Sequence, residues 1–264
     1  MKEKPWKSYH LNLLQKGPQA FFPCVIIVQA RMGSERLPKK VMMPILGKPI
    51  LELLVERLRA VRHVDALTIA TTTQSLDDSI YTFCLENNLH AFRGDEEDVL
   101  SRFYQCAKSF DAEVVVRITA DCPLIDPQIL SSALYLFRQK FDELDYLSNT
   151  LERTFARGMD IEIMRMSVLE EAYFHAKSQH EREHVTPFIV KNGDTFRLGN
   201  FFTEKRSDDM RLTLDTKEDF TLIENIFSAL NPKGSLFSLE DIRQYMDEHP
   251  ELKKINENVE QKHY

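Results

Sequence analysis

Long apolar runs are missing from this chain of 264 residues. None approaches the roughly 20 residues that a bilayer-spanning helix requires. The first 22 residues also lack an apolar segment ending in a small-residue cleavage site, so the expected location is cytoplasmic, away from membranes. Positive charge is not in surplus either: the formal net charge is −7, and a general nucleic-acid binder needs a broad basic surface. Cysteine is sparse. Cys24, Cys84, Cys106 and Cys122 stand apart without CxxC spacing in apolar or helical contexts, which favours buried free thiols over disulfides or a zinc site. Neither GxGxxG nor GxxxxGK followed by Ser or Thr occurs, which argues against a dinucleotide oxidoreductase and a P-loop ATPase. No internal repeat or low-complexity tract is found.

What is present is an alternation of apolar runs with helical periodicity. Strands are expected at 24–29, 67–72, 90–93 and 113–118, separated by helices near 49–62, 76–88 and 97–109. Short, almost continuously apolar strands joined by helices predict a doubly wound α/β core whose parallel sheet is covered on both faces. After a helix near 127–140 the rhythm changes. Strands are expected at 145–148, 159–165, 195–202 and 210–214, with helices near 167–178 and 180–191, before closing helices near 217–229 and 238–248. This predicts a mixed sheet extension at about 145–202 that serves as a substrate lid or a dimer contact. Residues 1–22, which include Gly17 and Pro18, read as an N-terminal extension outside the pattern, 23–249 as the main domain, and 250–264 as a polar, frayed tail.

The first expected strand runs directly into QARMGSERLPKK at 29–40, a short loop carrying Arg31, Arg36, Lys39 and Lys40. Loops leaving the carboxyl end of a buried parallel strand are where such folds bind ligands, and clustered cations there suit a polyphosphate. Gly33 allows close backbone approach, Ser34 offers a hydroxyl, and Pro38 restricts the stretch that carries the lysines. Taken alone, the loop also reads as a solvated basic turn.

Two further strand ends carry acid. RITADCPLID at 117–126 places Asp121 just beyond a strand whose carboxyl end opens into the same crevice as the basic loop. RLTLDTKEDF at 211–220 places Asp215 in a similar position. Mg²⁺ prefers one or two carboxylates completed by phosphate oxygens and water, so the two aspartates form a candidate metal pair. Local readings compete: Asp121 as a turn cap before Pro123, and Asp215 or Thr216 as the cap of the following helix. Asp126, followed by Pro127, reads as an N-cap.

These segments, together with LGKPILELLVERL, FRGDEEDVLSRF, GMDIEIM and REHVTPFI, resemble the SpsF-type cytidylyltransferases of spore-coat polysaccharide biosynthesis, relatives of the CMP-sialic acid and CMP-Kdo synthetases, over roughly residues 24–230. The resemblance implies a nucleotide-diphospho-sugar transferase fold, GT-A-like and Rossmann-like, with a mostly parallel central sheet and a mixed extension. It implies CTP and a sugar acid as substrates, pyrophosphate as product, Mg²⁺ as cofactor and a homodimer as the assembly. Carried over by position, Ala30, Arg31, Met32, Gly33, Ser34, Arg36 and Lys40 match the nucleotide and triphosphate loop, with Arg31, Arg36 and Lys40 as its catalytic cations. Thr71, Thr72, Asp95, Arg102, Arg117 and Thr119 are implied around the nucleotide, Asp160, Glu162 and His184 on the sugar side, and Asp121 and Asp215 at the metal. The RLPKK stretch is closer to the Kdo-type loop than to the sialic-acid type, and residues 1–22 have no counterpart in the pattern.

The HEREH stretch at 180–184 fits the zincin signature HExxH, but Pro187 follows closely and no third ligand is evident. A glycosyltransferase of similar fold would use a DxD pair, where residues 121–123 read DCP. An inactive nucleotide-binding relative would not be expected to keep both aspartates and the whole cationic loop.

Overall fold

The computed structural model describes residues 4–13, 22–231 and 234–261. Its strands are β1 (Trp6–His10), β2 (Cys24–Gln29), β3 (Pro44–Ile45), β4 (Lys48–Pro49), β5 (Ala66–Thr72), β6 (His90–Gly94), β7 (Val114–Thr119), β8 (Tyr146–Ser148), β9 (Glu162–Arg165) and β10 (Leu198–Phe202). Its helices are α1 (Ile50–Leu58), α2 (Asp78–Glu86), α3 (Val99–Lys108), α4 (Pro127–Gln139), α5 (Met166–His175), α6 (Gln179–His184), α7 (Pro187–Lys191), α8 (Lys217–Leu230) and α9 (Leu239–Glu248). Among the described residues no helix is long and apolar enough to cross a membrane.

Eight strands form one sheet in the order β1-β10-β8-β9-β7-β2-β5-β6, and β3 pairs with β4 in a separate hairpin. All neighbours in the large sheet run parallel except β9, which is antiparallel to both β7 and β8. The sheet is buried on both faces because side chains alternate along each strand. Cys24, Ile26 and Val28 of β2 pack in one core layer with α1, α4 and α8, while Val25 and Ile27 pack in the other with α3 and α5. The chain order reverses at β2: the following strands β5 and β6 lie on one side, β7 on the other. Gln29 pairs with Thr119 in register, so the loop after β2 and the turn after β7 leave the sheet side by side. Such a switch point opens a crevice at the carboxyl ends of the strands.

Several expectations are corrected. Residues 6–10 are not outside the pattern: they form an edge strand parallel to β10. Gly17 and Pro18 lie outside the described residues. Residues 210–214 form no strand, because their backbone serves two different segments. Leu212 donates to the Arg157 carbonyl at 2.7 Å and Leu214 donates to that of Asp121 at 2.8 Å. The helix expected at 180–191 is broken into α6 and α7, since Pro187 cannot continue a preceding turn and Val185 takes φ 71°. A β-branched residue in that region is strained. The tail is not frayed through Gln261, because it turns back onto Arg211, where the Asn256 amide donates to the backbone carbonyl at 3.0 Å. The 145–202 segment does form a mixed extension of the main sheet, supplying three strands, among them the antiparallel β9, together with helices α5 to α7.

Candidate active site

A cavity of about 710 Å³ opens at the β2/β7 switch point. Of the residues read from sequence, Ala30, Arg31, Gly33, Ser34, Arg36, Lys40, Arg117, Thr119, Asp121, Asp160, Glu162, His184 and Asp215 all line it. The loop after β2 folds back on itself: Ser34 and Lys39 donate their backbone N–H groups to the Met32 carbonyl at 2.9 and 3.1 Å. Buried Leu37 pins its centre. That geometry sends Lys40 inward and leaves Lys39 exposed.

Lys40 is the hub. Its ammonium donates to Asp215 at 2.8 Å and to the Leu214 carbonyl at 2.7 Å, and stands 3.6 Å from Asp121. Burial alone would lower its pKa, but Asp121 and Asp215 more than offset this and hold it above the usual lysine value. Burial likewise pushes the Asp215 carboxyl upward, yet Lys40, Arg36 and Arg211 hold it below the ordinary carboxylate range. Arg36 reaches Asp215 at 3.2 Å and donates to the Glu260 carbonyl of the tail at 3.3 Å. Arg31 stands 3.8 Å from Glu96.

The two aspartates come together because their backbones are tied. Leu214 N–H and the Thr213 hydroxyl both donate to the Asp121 carbonyl, at 2.8 and 3.1 Å. The local capping alternatives are also resolved. Thr216 caps α8 in a reciprocal box with Asp219, which leaves the Asp215 carboxylate to the cavity. Asp126 caps α4, with Gln128 N–H donating to it at 2.8 Å. Asp121 caps nothing, and its carboxylate accepts from the Thr119 hydroxyl.

Other residues expected around the nucleotide do not line the cavity. The Met32 side chain is buried in the core and its N–H donates to Asp77 at 2.7 Å. Thr72 donates its hydroxyl to the same Asp77, and Thr71 is fully buried. Asp95 accepts from the N–H groups of Glu97 and Asp98, both at 2.8 Å. Arg102 is buried and donates to the Asp95 carbonyl at 2.6 Å, with burial lowering its pKa to about 10. The Met32, Thr71, Thr72 and Arg102 side chains are buried behind the basic loop, whereas Asp95 is exposed outside the cavity lining.

On the far side Arg117 pairs with Glu162, which also accepts from the Tyr146 hydroxyl at 2.6 Å. Burial lowers the His184 pKa, keeping its imidazole neutral near pH 7. His180 and His184 lie with ring centroids 4.8 Å apart, but Glu181 of the HExxH match accepts the Ser178 N–H in a capping box and does not line the cavity. The sequence reading missed Arg153, Arg157, Arg211 and Gln261. The first three sit in loops without periodicity, and Gln261 lies in a polar tail. Arg153 forms a two-point pair with Asp160, and Arg211 holds Asp219 at 2.9 Å and Asp215 at 3.2 Å. All four cysteines are buried and free, with burial raising Cys24 and Cys106 to about 12 and Cys84 to about 11.

The donor set is suited to a hard cation. Asp121, Asp215 and the Leu214 carbonyl already converge on one positive charge, and all are oxygen donors. No group of three or more His, Cys, Asp or Glu side chains able to hold a metal occurs among the described residues. Two carboxylates fit Mg²⁺, which completes its shell with phosphate oxygens and water, better than a metal needing an all-protein cage.

A mostly parallel sheet with a cationic loop and paired aspartates at its switch point defines the class as a nucleotidyltransferase. The chain belongs to the cytidylyltransferase family, whose pattern it matches over residues 25–259. It is 30% identical to the spore coat polysaccharide biosynthesis protein SpsF of Bacillus subtilis, over 82% of this chain and 91% of that protein. A solved cytidylyltransferase from Leptospira borgpetersenii serovar Hardjo-bovis superposes with TM-score 0.84 at 33% identity, covering 92% of this chain and 100% of the other. The CMP:2-keto-3-deoxy-manno-octonic acid synthetase solved with CTP shares the fold, with TM-score 0.60 at 17% identity over 78% of this chain and 99% of its own. As a cytidylyltransferase, the protein transfers CMP from CTP.

Proposed function

We propose that the acceptor is a sugar acid of the nonulosonic or Kdo-like kind and that the product serves surface polysaccharide assembly. The observation that carries this reading is the Lys40 ammonium held between Asp121 and Asp215 beside Arg36, in a cavity that continues to Asp160, Glu162 and His184. One end is suited to a triphosphate, and the other supplies the hydrogen-bonding groups that a polyhydroxylated acceptor needs.

The acceptor hydroxyl oxygen forms a bond to the α-phosphorus of CTP. The bond from that phosphorus to the bridging oxygen of the β-phosphate breaks, pyrophosphate leaves, and the hydroxyl proton passes to solvent. Arg31, Arg36 and Lys40 hold the phosphate oxygens as charge moves onto the leaving group. At about 4 Å and an effective dielectric near 20, each contributes on the order of 4 kcal/mol of gross attraction. Asp121 and Asp215 would hold Mg²⁺, which when bound polarises the α-phosphate.

The test is pyrophosphate release from each of the four nucleoside triphosphates against a panel of ulosonic acids and sugar phosphates, with and without Mg²⁺. Magnesium-dependent release with CTP and an ulosonic acid is the expected outcome. Release with sugar phosphates alone would overturn the sugar-acid assignment.

A further inference from the structure

Asp77 ends a single 3₁₀ turn over Ser75–Asp77 and stands at the N-terminus of α2, yet its carboxylate caps nothing there. An aspartate in that position ordinarily accepts an N–H from the first turn of its own helix, as Asp98 does for α3 and Asp126 for α4. Asp77 is instead buried at 2% exposure, with one carboxylate oxygen accepting the Met32 N–H at 2.7 Å and the other the Thr72 hydroxyl. Gln74 N–H donates to the same hydroxyl at 3.1 Å, which holds Thr72 in place. A side chain that forgoes its local bond for one made across 45 residues of sequence answers a demand set elsewhere in the molecule.

That demand lies in the basic loop. β2 stays tied to β5 as far as Ala30, whose N–H reaches the Ala70 carbonyl at 3.2 Å. Met32 has left the sheet with its side chain buried, and Asp77 takes its N–H in place of a strand partner. The Met32 carbonyl in turn receives the N–H groups of Ser34 and Lys39 at 2.9 and 3.1 Å, so the loop closes on a residue that Asp77 fixes. Arg31, Gly33, Ser34 and Lys40 line the cavity on either side of that point. The negative charge of Asp77 works against phosphate binding, because like charges repel. What the carboxylate supplies is geometry: without an acceptor the Met32 N–H would be buried unpaired, and the loop would have to shift to satisfy it.

We propose that Asp77 is a positioning residue for the known reaction: by accepting the Met32 N–H it sets the conformation in which the 31–40 loop meets the β- and γ-phosphates of CTP. This rests on the reading of that loop as the triphosphate grip.

The test is calorimetric binding of CTP and of CMP, each with Mg²⁺, to wild type, D77A, D77N and T72V. No acceptor is needed, so the result does not depend on which sugar the enzyme uses. Wild type should bind CTP more tightly than CMP. In D77A that preference should fall by about 10-fold to 100-fold, with the affinity for CMP moving less than about 3-fold. D77N keeps a side-chain carbonyl that can accept the Met32 N–H and should recover much of the preference. T72V frees the other carboxylate oxygen and should lower the preference in the same direction by about 3-fold to 10-fold. Mere structural damage would weaken CTP and CMP alike, and that outcome overturns the proposal, as does an undiminished preference in D77A or a D77N as impaired as D77A. Should D77A fail to fold, an unchanged preference in T72V overturns it. Wild type binding CTP no more tightly than CMP would instead refute the triphosphate reading of the loop, and the proposal with it.

Discussion

The Lys40 ammonium stands 2.8 Å from Asp215 and 3.6 Å from Asp121, so one positive charge bridges two carboxylates brought together from distant parts of the chain. Replacing Lys40 with methionine keeps much of the stem and removes the charge. Turnover is expected to fall by about 10²-fold to 10³-fold, as for loss of a preorganised electrostatic group. The melting temperature should drop by only about 2–4 °C for each kcal/mol lost, because Arg36 and Arg211 still neutralise Asp215. Pyrophosphate release and a thermal melt measured on the same preparation check this. A melt collapsed in proportion to activity would make Lys40 a folding residue instead.

The same cluster makes stability depend on pH. Asp215 is buried, which raises its pKa, but Lys40, Arg36 and Arg211 hold it below the ordinary carboxylate value. A depressed carboxyl contributes stability that is fully present above its unfolded pKa of about 3.9 and is lost as pH falls through the lower folded value. Lys40, with its raised pKa, contributes in the opposite sense: its share is present below about 10.4 and is lost as pH rises through the folded value. In urea unfolding, wild type should exceed D215N by a gap that is steady from about pH 5 to 9 and shrinks below about pH 4. A gap that widened on acidification would contradict the assigned ion pairs.

Metal binding is expected to need the nucleotide. Among the described residues two carboxylates converge here and both face Lys40, so the protein alone would offer a weak site that phosphate oxygens and water would complete. Mg²⁺ alone should leave the melting temperature nearly unchanged, CTP alone should raise it slightly, and the two together should raise it most. D121N and D215N should remove the increment due to metal. An equal shift from Mg²⁺ without CTP would point to a different metal site.

The parallel core was legible from sequence because β2, β5 and β7 are short apolar runs bounded by helices, and strand ends in such a fold share one edge. Arg31, Arg36, Lys40 and Asp121 could be placed there from that rule, whereas Asp215 was expected at the end of a strand that does not form and reaches the crevice because Leu214 and Thr213 are tied to the Asp121 carbonyl. Arg153, Arg157 and Arg211 could not, because irregular segments have no period and their positions depend on tertiary hydrogen bonds such as Leu212 to Arg157. The tail was hidden for a related reason. Asn256 is polar, yet it is buried by bonding to Arg211 and Asp219 at 3.0 and 2.9 Å, a pairing no local pattern announces. Thr71 and Arg102 show what a motif cannot tell: their side chains are buried beside the site, and burial, which depends on tertiary packing, separates wall from surface.

Gly158 offers a test of how the segment leading to Asp215 is held. Its φ of 96° lies where L side chains are strained, and an added Cβ would stand 2.5 Å from both the carbon and the oxygen of the Leu212 carbonyl. Backbone atoms cannot swing aside as a long side chain can, so G158A should separate the 157 segment from the 212 segment. Strain of this kind costs on the order of 1–3 kcal/mol. The effect should not stop at stability, because Leu212 and Leu214 carry the bonds that bring Arg211 and Asp215 to Asp121. G158A is therefore expected to lower the melting temperature and to reduce turnover more than its loss of folded protein explains. Comparing activity per folded molecule, scaled by near-ultraviolet circular dichroism, checks this. Full activity per folded molecule would show that the contact between the segments supports the fold and not the site.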